Sequence, residues 1–265
     1  MTEQDPRALA LAGWGSAVLF AAAFLDRPLR AWAAAQEPAA RAAWGVATGI
    51  GDSGWMIAAT AALGLWALAE RGMAASTRRR AGLAAAAGVS LTALAAVALI
   101  GLAAAALKLV IGRPRPKMFE SLGAFELSPL AFDFKLNSFP SGHATTLFAL
   151  AAILCLVLPR WRALILAAAG WGAFSRVAVG AHYASDVLAG AALGYYGARA
   201  FARGAAARGW GFGPDLAPLG PRDAAAALRR AARRRRRQAA RAIREKAHAS
   251  SRAALRRRRA DEERG

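Results

Sequence analysis

Six apolar stretches constrain this chain more than any other feature in it. They are Leu9–Leu25, Gly54–Leu68, Ala81–Ile111, His143–Leu158, Ala163–Val179 and Asp186–Ala202. A helix that crosses a bilayer needs roughly 20 mostly apolar residues. The second and fourth stretches are short, and alanine dilutes the signal of each. The third is longer than the bilayer core is thick and must tilt or protrude. The first has a cleaved signal peptide as its rival reading. Its flank carries Glu3 and Asp5 beside Arg7, a poor positive region for a signal, so a retained span is expected. The expected fold is all-α: a polytopic membrane bundle of about six transmembrane helices with a basic C-terminal extension.

Charge is distributed accordingly. The chain is 57% hydrophobic yet has a formal net charge of +20. The apolar runs fill residues 1–203, the expected membrane domain. Residues 204–265 form an Arg/Ala tail that includes Arg233–Arg237 and Arg256–Arg259. That tail is expected to be cytoplasmic and partly disordered or helical. Its charge suits anionic lipid headgroups, at about 1 kcal/mol per basic residue near the surface. Charge alone would bind nucleic acid only nonspecifically. A single cysteine, Cys155, lies inside an apolar run. It allows no intrachain disulfide and reads as a packing residue. The sequence carries no signal for an oligomeric state.

Six spans put both termini on one side. The short loops on that side carry Arg71, Arg78, Arg79, Arg80, Arg160 and Arg162, and the tail joins them. The positive-inside rule makes that side cytoplasmic. The expected location is the inner (cell) membrane of a bacterium, with the opposite loops facing the periplasm or exterior. Trp32, Trp44 and Trp55 fall near that outer boundary. Either the segment Pro28–Gly45 is a helix lying on the outer surface, or these are ordinary packing aromatics.

The same outer face collects the chemistry. Lys108 ends the third span, and Arg115 follows in the outer loop. Pro140-Ser141-Gly142-His143 opens the fourth span. Ser175 and Arg176 end the fifth, His182 lies in the short turn beyond, and Asp186 opens the sixth. Ionisable residues at membrane depth are costly and usually pair or line a cavity. A lone Lys108 would read as a snorkelling anchor, but convergence of all these residues favours a site. Arg binds phosphate oxygens in pairs, and Lys adds a point charge. A helix N-terminus offers free N–H groups to an anion, and Gly142 permits close approach. Ser141 either caps that helix or binds the anion. His182 and Asp186, four apart, would share one face of a helical turn, so that the carboxylate fixes the imidazole tautomer. Three histidines and few carboxylates make a divalent metal unexpected there.

Lys108-x6-Arg115-Pro116, Pro140-Ser141-Gly142-His143 and Ser175-Arg176-x5-His182-x3-Asp186 resemble the three-part signature of the type-2 phosphatidic acid phosphatase superfamily, which includes vanadium haloperoxidases. The resemblance covers roughly Trp14–Arg203. It implies an all-helical core and a lipid phosphate or lipid diphosphate as substrate, with no cofactor or metal. It assigns His182 as the nucleophile that forms a phosphohistidine and Asp186 as the residue that orients it. His143 becomes the general acid. Lys108, Arg115, Ser141, Gly142 and Arg176 bind the phosphoryl oxygens. Candidate substrates are polyprenyl diphosphate, phosphatidate, phosphatidylglycerophosphate and the phosphate of a lipopolysaccharide anchor. The two histidines need opposite protonation states, which predicts a bell-shaped pH dependence of kcat/KM. The rival readings are a lipid phosphotransferase, a haloperoxidase and an inactive membrane anchor presenting the basic tail.

Overall fold

The computed structural model describes residues 6–226, 229 and 233. The regular structure of the described residues is helical, with no strand; their one β-bridge joins Phe212 to Pro218. Each of the six apolar runs lies in helix. Helix α1 (Pro6–Phe20) passes through a π-turn at Ala21–Leu25 into α2 (Asp26–Ala34). Then follow α3 (Pro38–Gly49), α4 (Ser53–Met73), α5 (Thr77–Ile111), α6 (Phe119–Leu122), α7 (Gly142–Val157), α8 (Arg162–Ala178) and α9 (Ala184–Arg208). Two mainly helical stretches, Leu9–Ala34 and Thr77–Leu122, contain windows long and apolar enough to cross a membrane.

The surface explains the composition. Leu63, Leu65 and Trp66 on α4, Leu99 and Leu102 on α5, and Leu164 and Trp171 on α8 all point outward and are more than half exposed. The interior is instead built from small residues: Ala96, Ala144, Ala149, Ala152 and Ala198 are fully or almost fully buried around Met56, Val97 and Ile153. Large side chains outside and small ones inside suit helices that pack closely within a bilayer.

Helix α5 is the long element that sequence length required. Its 35 unbroken residues extend about 52 Å. Ser76 caps its start by accepting from the Arg79 N–H. Gly112 ends it at φ 62°, the left-handed conformation glycine adopts freely, and donates its N–H to the Lys108 carbonyl at 2.9 Å. The chain therefore turns away one residue before Arg113.

Helices α7 and α9 pack closest. A Cβ at Gly190 would run into the Ser141 carbonyl, and one at Gly194 into the Thr145 carbonyl. This small-residue spacing brings the N-terminal ends of α7 and α9 together, which the functional site requires.

Two features differ from the sequence expectation. Pro28–Gly45 is not one helix, because the chain breaks between α2 and α3 ahead of Pro38, a residue suited to the first helical turn. Trp32 and Trp44 follow the packing reading. Trp44 packs on Trp171 and Phe174 of α8, while Trp32 packs on Phe174 with 43% of its surface exposed. Secondly, the boundary drawn at residue 203 falls inside α9. The chain then hooks back through buried Phe212, and Ala224 packs on Ala81 and Ala85 of α5. The expectations for Arg234–Arg237 and Arg256–Arg259 lie outside the described residues.

Candidate active site

Four helix ends meet at one end of the bundle: the last turns of α5 and α8 and the first turns of α7 and α9. The loop before α7 ties them together. The Lys108 ammonium donates to the carbonyls of Asn137 and Ser138 at 3.0 and 3.2 Å. Arg115 donates through Nε to the Phe134 carbonyl at 2.9 Å and stacks on that residue's ring, 3.7 Å from its centroid. Arg176 donates to the Thr48 hydroxyl at 2.7 Å, and the Ser175 hydroxyl lies 3.1 Å from the same oxygen. The Ser141 N–H donates to the Asp186 carbonyl at 2.9 Å, joining the starts of α7 and α9.

These contacts bring all eight sequence-derived residues into one neighbourhood. Lys108 lies within electrostatic reach of Arg115, Arg176 and Asp186, and His143 within reach of Arg176, Lys108 and Arg115. A Cβ on Gly142 would stand 3.8 Å from the Lys108 side chain. Three cations thus surround the N-terminus of α7, whose first turn points N–H groups the same way.

The capping reading of Ser141 is not realised. The residue occupies the N-cap position of α7, yet its side chain makes no capping bond. Its Oγ is buried and has no hydrogen-bond partner, as is true of Arg176 Nε. Buried polar atoms are almost always paired, so such orphans at one place mark groups held ready for another molecule.

The His182–Asp186 pair departs from expectation. His182 is not on a helical turn with Asp186: α9 begins at Ala184, and Tyr183 is extended at φ −76° and ψ 161°. The residues still approach because Asp186, at the third helical position, reaches back. Its Oδ2 accepts from the Tyr183 N–H at 2.9 Å and from the Ser138 hydroxyl at 2.6 Å. His182 Nδ1 stands 3.6 Å from that oxygen, just beyond hydrogen-bond range, and has no other partner. Nδ1 therefore faces the carboxylate, leaving Nε2 for other chemistry. Burial pushes the His182 imidazole down to about 4 from 6.5; Asp186 opposes the shift, and the charges of Lys108 and Arg115 add to it. The ring is neutral at physiological pH. Arg115 is lowered to about 10 by burial and by Arg176, and stays cationic.

Sequence reading missed Arg113 and Asp26. Arg113 is buried between two carboxylates, at 2.5 Å from Asp186 Oδ1 and 2.8 Å from Asp26 Oδ2. It read as one more basic loop residue beside Arg115. Asp26 offered a clue, since a carboxylate at the end of an apolar run needs a partner.

A buried histidine backed by a carboxylate, near a helix N-terminus ringed by cations, is an arrangement suited to binding a phosphate. A family model described as the PAP2 superfamily matches residues 89–210. The chain is 36% identical over 180 residues to a lipid A 1-phosphatase of Rhizobium etli, covering 68% of this chain and 76% of that protein. It is 36% identical over 147 residues to a lipid A 1-phosphatase of Rhizobium johnstonii, covering 56% of this chain and 60% of that protein. No solved structure matches the chain significantly. The chain belongs to the PAP2 superfamily.

Proposed function

We propose that this protein is an integral membrane phosphatase that hydrolyses a lipid phosphate without a metal, through a phosphohistidine on His182. The observation that carries the reading is the buried, unpartnered Ser141 hydroxyl at the start of α7, among Lys108, Arg115 and Arg176. Nothing in the surrounding protein uses it, and an anionic oxygen would.

The chemistry follows from placement. Lys108, Arg115 and Arg176 hold the phosphoryl oxygens with the Ser141 hydroxyl and the Gly142 backbone. They stabilise the charge that develops on those oxygens in the transition state. Neutral His182 attacks phosphorus through Nε2, forming the N–P bond as the bond to the lipid oxygen breaks. His143 delivers a proton to that oxygen, and the dephosphorylated lipid leaves. Water, losing a proton to His143, then attacks phosphorus; the N–P bond breaks, and inorganic phosphate departs with His182 neutral again.

The substrate class follows from the surroundings. The loop between Arg115 and Ser138 exposes Phe125, Leu127, Leu130, Phe132 and Phe134, with Phe132 90% exposed. That apolar rim suits acyl chains beside a phosphate. The named activity of the two Rhizobium relatives supports lipid A as substrate and its 1-phosphate as the group removed. The six helices are read as six spans with both termini cytoplasmic, which places the site at the outer leaflet.

The test is phosphate release by the purified protein, in excess chelator, from lipid A, phosphatidate, phosphatidylglycerophosphate and polyprenyl diphosphate. Release from lipid A above the other three is expected. No release from any of them overturns the reading. Label passing from substrate to a second lipid, with no free phosphate, makes the enzyme a phosphotransferase instead.

A further inference from the structure

Asp26 lies at the junction of α1 and α2, far in sequence from every motif above, and 1% of its surface is exposed. It follows the π-turn, donating its own N–H to Ala21 across five residues. Such widened turns are rare and concentrate at functional sites. Its carboxylate accepts three hydrogen bonds: from the Ser185 N–H at 2.9 Å, the Ser185 hydroxyl at 2.6 Å and Arg113 at 2.8 Å. Arg113 in turn donates to the Ser185 hydroxyl at 2.7 Å, to Asp186 at 2.5 Å and, through Nε, to the Ala124 carbonyl at 3.0 Å. Its guanidinium carbon lies over the Tyr183 ring, 4.3 Å from the centroid. Four of its five N–H groups are engaged.

Stability alone gives little reason for this arrangement. Desolvating three charges offsets most of their attraction, and apolar residues of similar volume would serve a fold as well. What the network does supply is orientation and sign. Arg113 fixes one oxygen of Asp186, so the other, already held by Ser138 and Tyr183, can face only His182. The charges also sum to −1: two carboxylates and one guanidinium. As Nε2 of His182 bonds to phosphorus, the ring becomes cationic, and a net negative cluster directly behind it stabilises that charge. Without the Asp26 charge the cluster would be neutral.

We propose that Asp26 and Arg113 are positioning residues for the reaction, holding Asp186 against His182 and keeping the group behind the nucleophile net negative. The inference rests on the reading of His182 as nucleophile. It also gives the N-terminal helix a task in the chemistry: its carboxylate reaches the active-site helix α9 through Ser185.

The experiment compares Asp26→Asn, Arg113→Lys and Ser185→Ala with the unmodified enzyme on its best lipid substrate. Supporting arrangements around a reacting group are worth about 10- to 100-fold. Asp26→Asn and Arg113→Lys are expected to lower kcat by that factor with KM changed less than about threefold, because the cations that bind phosphate are untouched. Arg113→Lys keeps the charge but not the fork that spans two carboxylates, so it does not rescue. Ser185→Ala, which removes one hydroxyl, is expected to lower kcat less and keeps the test open if a charge variant fails to fold. In an Asp186→Asn background, Asp26→Asn is expected to have no further effect, since its action passes through Asp186. Full additivity there, or unchanged kcat in the three single variants, overturns the proposal. An unmodified enzyme inactive on every lipid would instead defeat the phosphatase reading itself.

Discussion

At the scale of single residues, the site separates atoms that hold the fold from atoms held for chemistry. Ser141 belongs to the second group, since its hydroxyl caps nothing. Ser141→Ala is therefore expected to lower kcat/KM about 10- to 100-fold, the worth of a hydrogen bond to a charged oxygen. Its thermal stability is expected to stay within about 0.5 kcal/mol. A melting curve and a rate measurement on one preparation check both. His182 sets the acid limb of the pH profile. Because its imidazole is lowered to about 4 from 6.5, it keeps its lone pair through weak acid, and kcat/KM is expected to fall near pH 4. The same shift has a stability consequence. Between pH 6.5 and about 4 the unfolded chain binds a proton that folded His182 refuses, so stability falls as pH drops through that window. A Tm series over that range checks the sign. All eight motif residues were legible in the sequence because phosphate chemistry restricts residue type and spacing. Arg113 and Asp26 were not, since each alone looks like a charge at a helix end. Their pairing depends on contacts between residues 87 apart in the chain.

At the scale of elements, the approach of α9 to α7 matters most, because it delivers Asp186 and His182 to Ser141. Gly190 and Gly194 permit it by presenting no Cβ to the α7 backbone. Gly190→Ala is expected to cost about 1–3 kcal/mol by overpacking and to lower activity with it, since the Ser141 carbonyl must shift. Unchanged melting and activity would mean that the helices are not in such contact. Apolar length located all six long helices. It could not locate the break between α2 and α3, which is set by the turn before Pro38, nor the end of α9. Gly204 reads as a stop just after residue 203, but the helix runs through it to Gly209, whose φ of 70° ends it. The offset of His182 from α9 was also hidden. A four-residue spacing looks the same whether it spans a helical turn or a cap.

At the scale of the whole molecule, one end gathers the motif residues while the flanks are apolar, an arrangement that fits an enzyme whose substrate is half in lipid. The exposed rim of Phe125, Leu127, Leu130, Phe132 and Phe134 should then matter only for substrates with tails. Phe132→Ser is expected to raise KM for a long-chain lipid several-fold and leave that for a short, water-soluble phosphate ester unchanged. Equal effects on both would remove the rim from substrate binding. That the motif residues share one end of the bundle was legible, because each lies at the matching end of its apolar run. The most direct test of the account is the rate of phosphate release by purified His182→Ala protein in excess chelator. A fall of at least about 1,000-fold is expected, with the folded state retained. Release at the unmodified rate would contradict it.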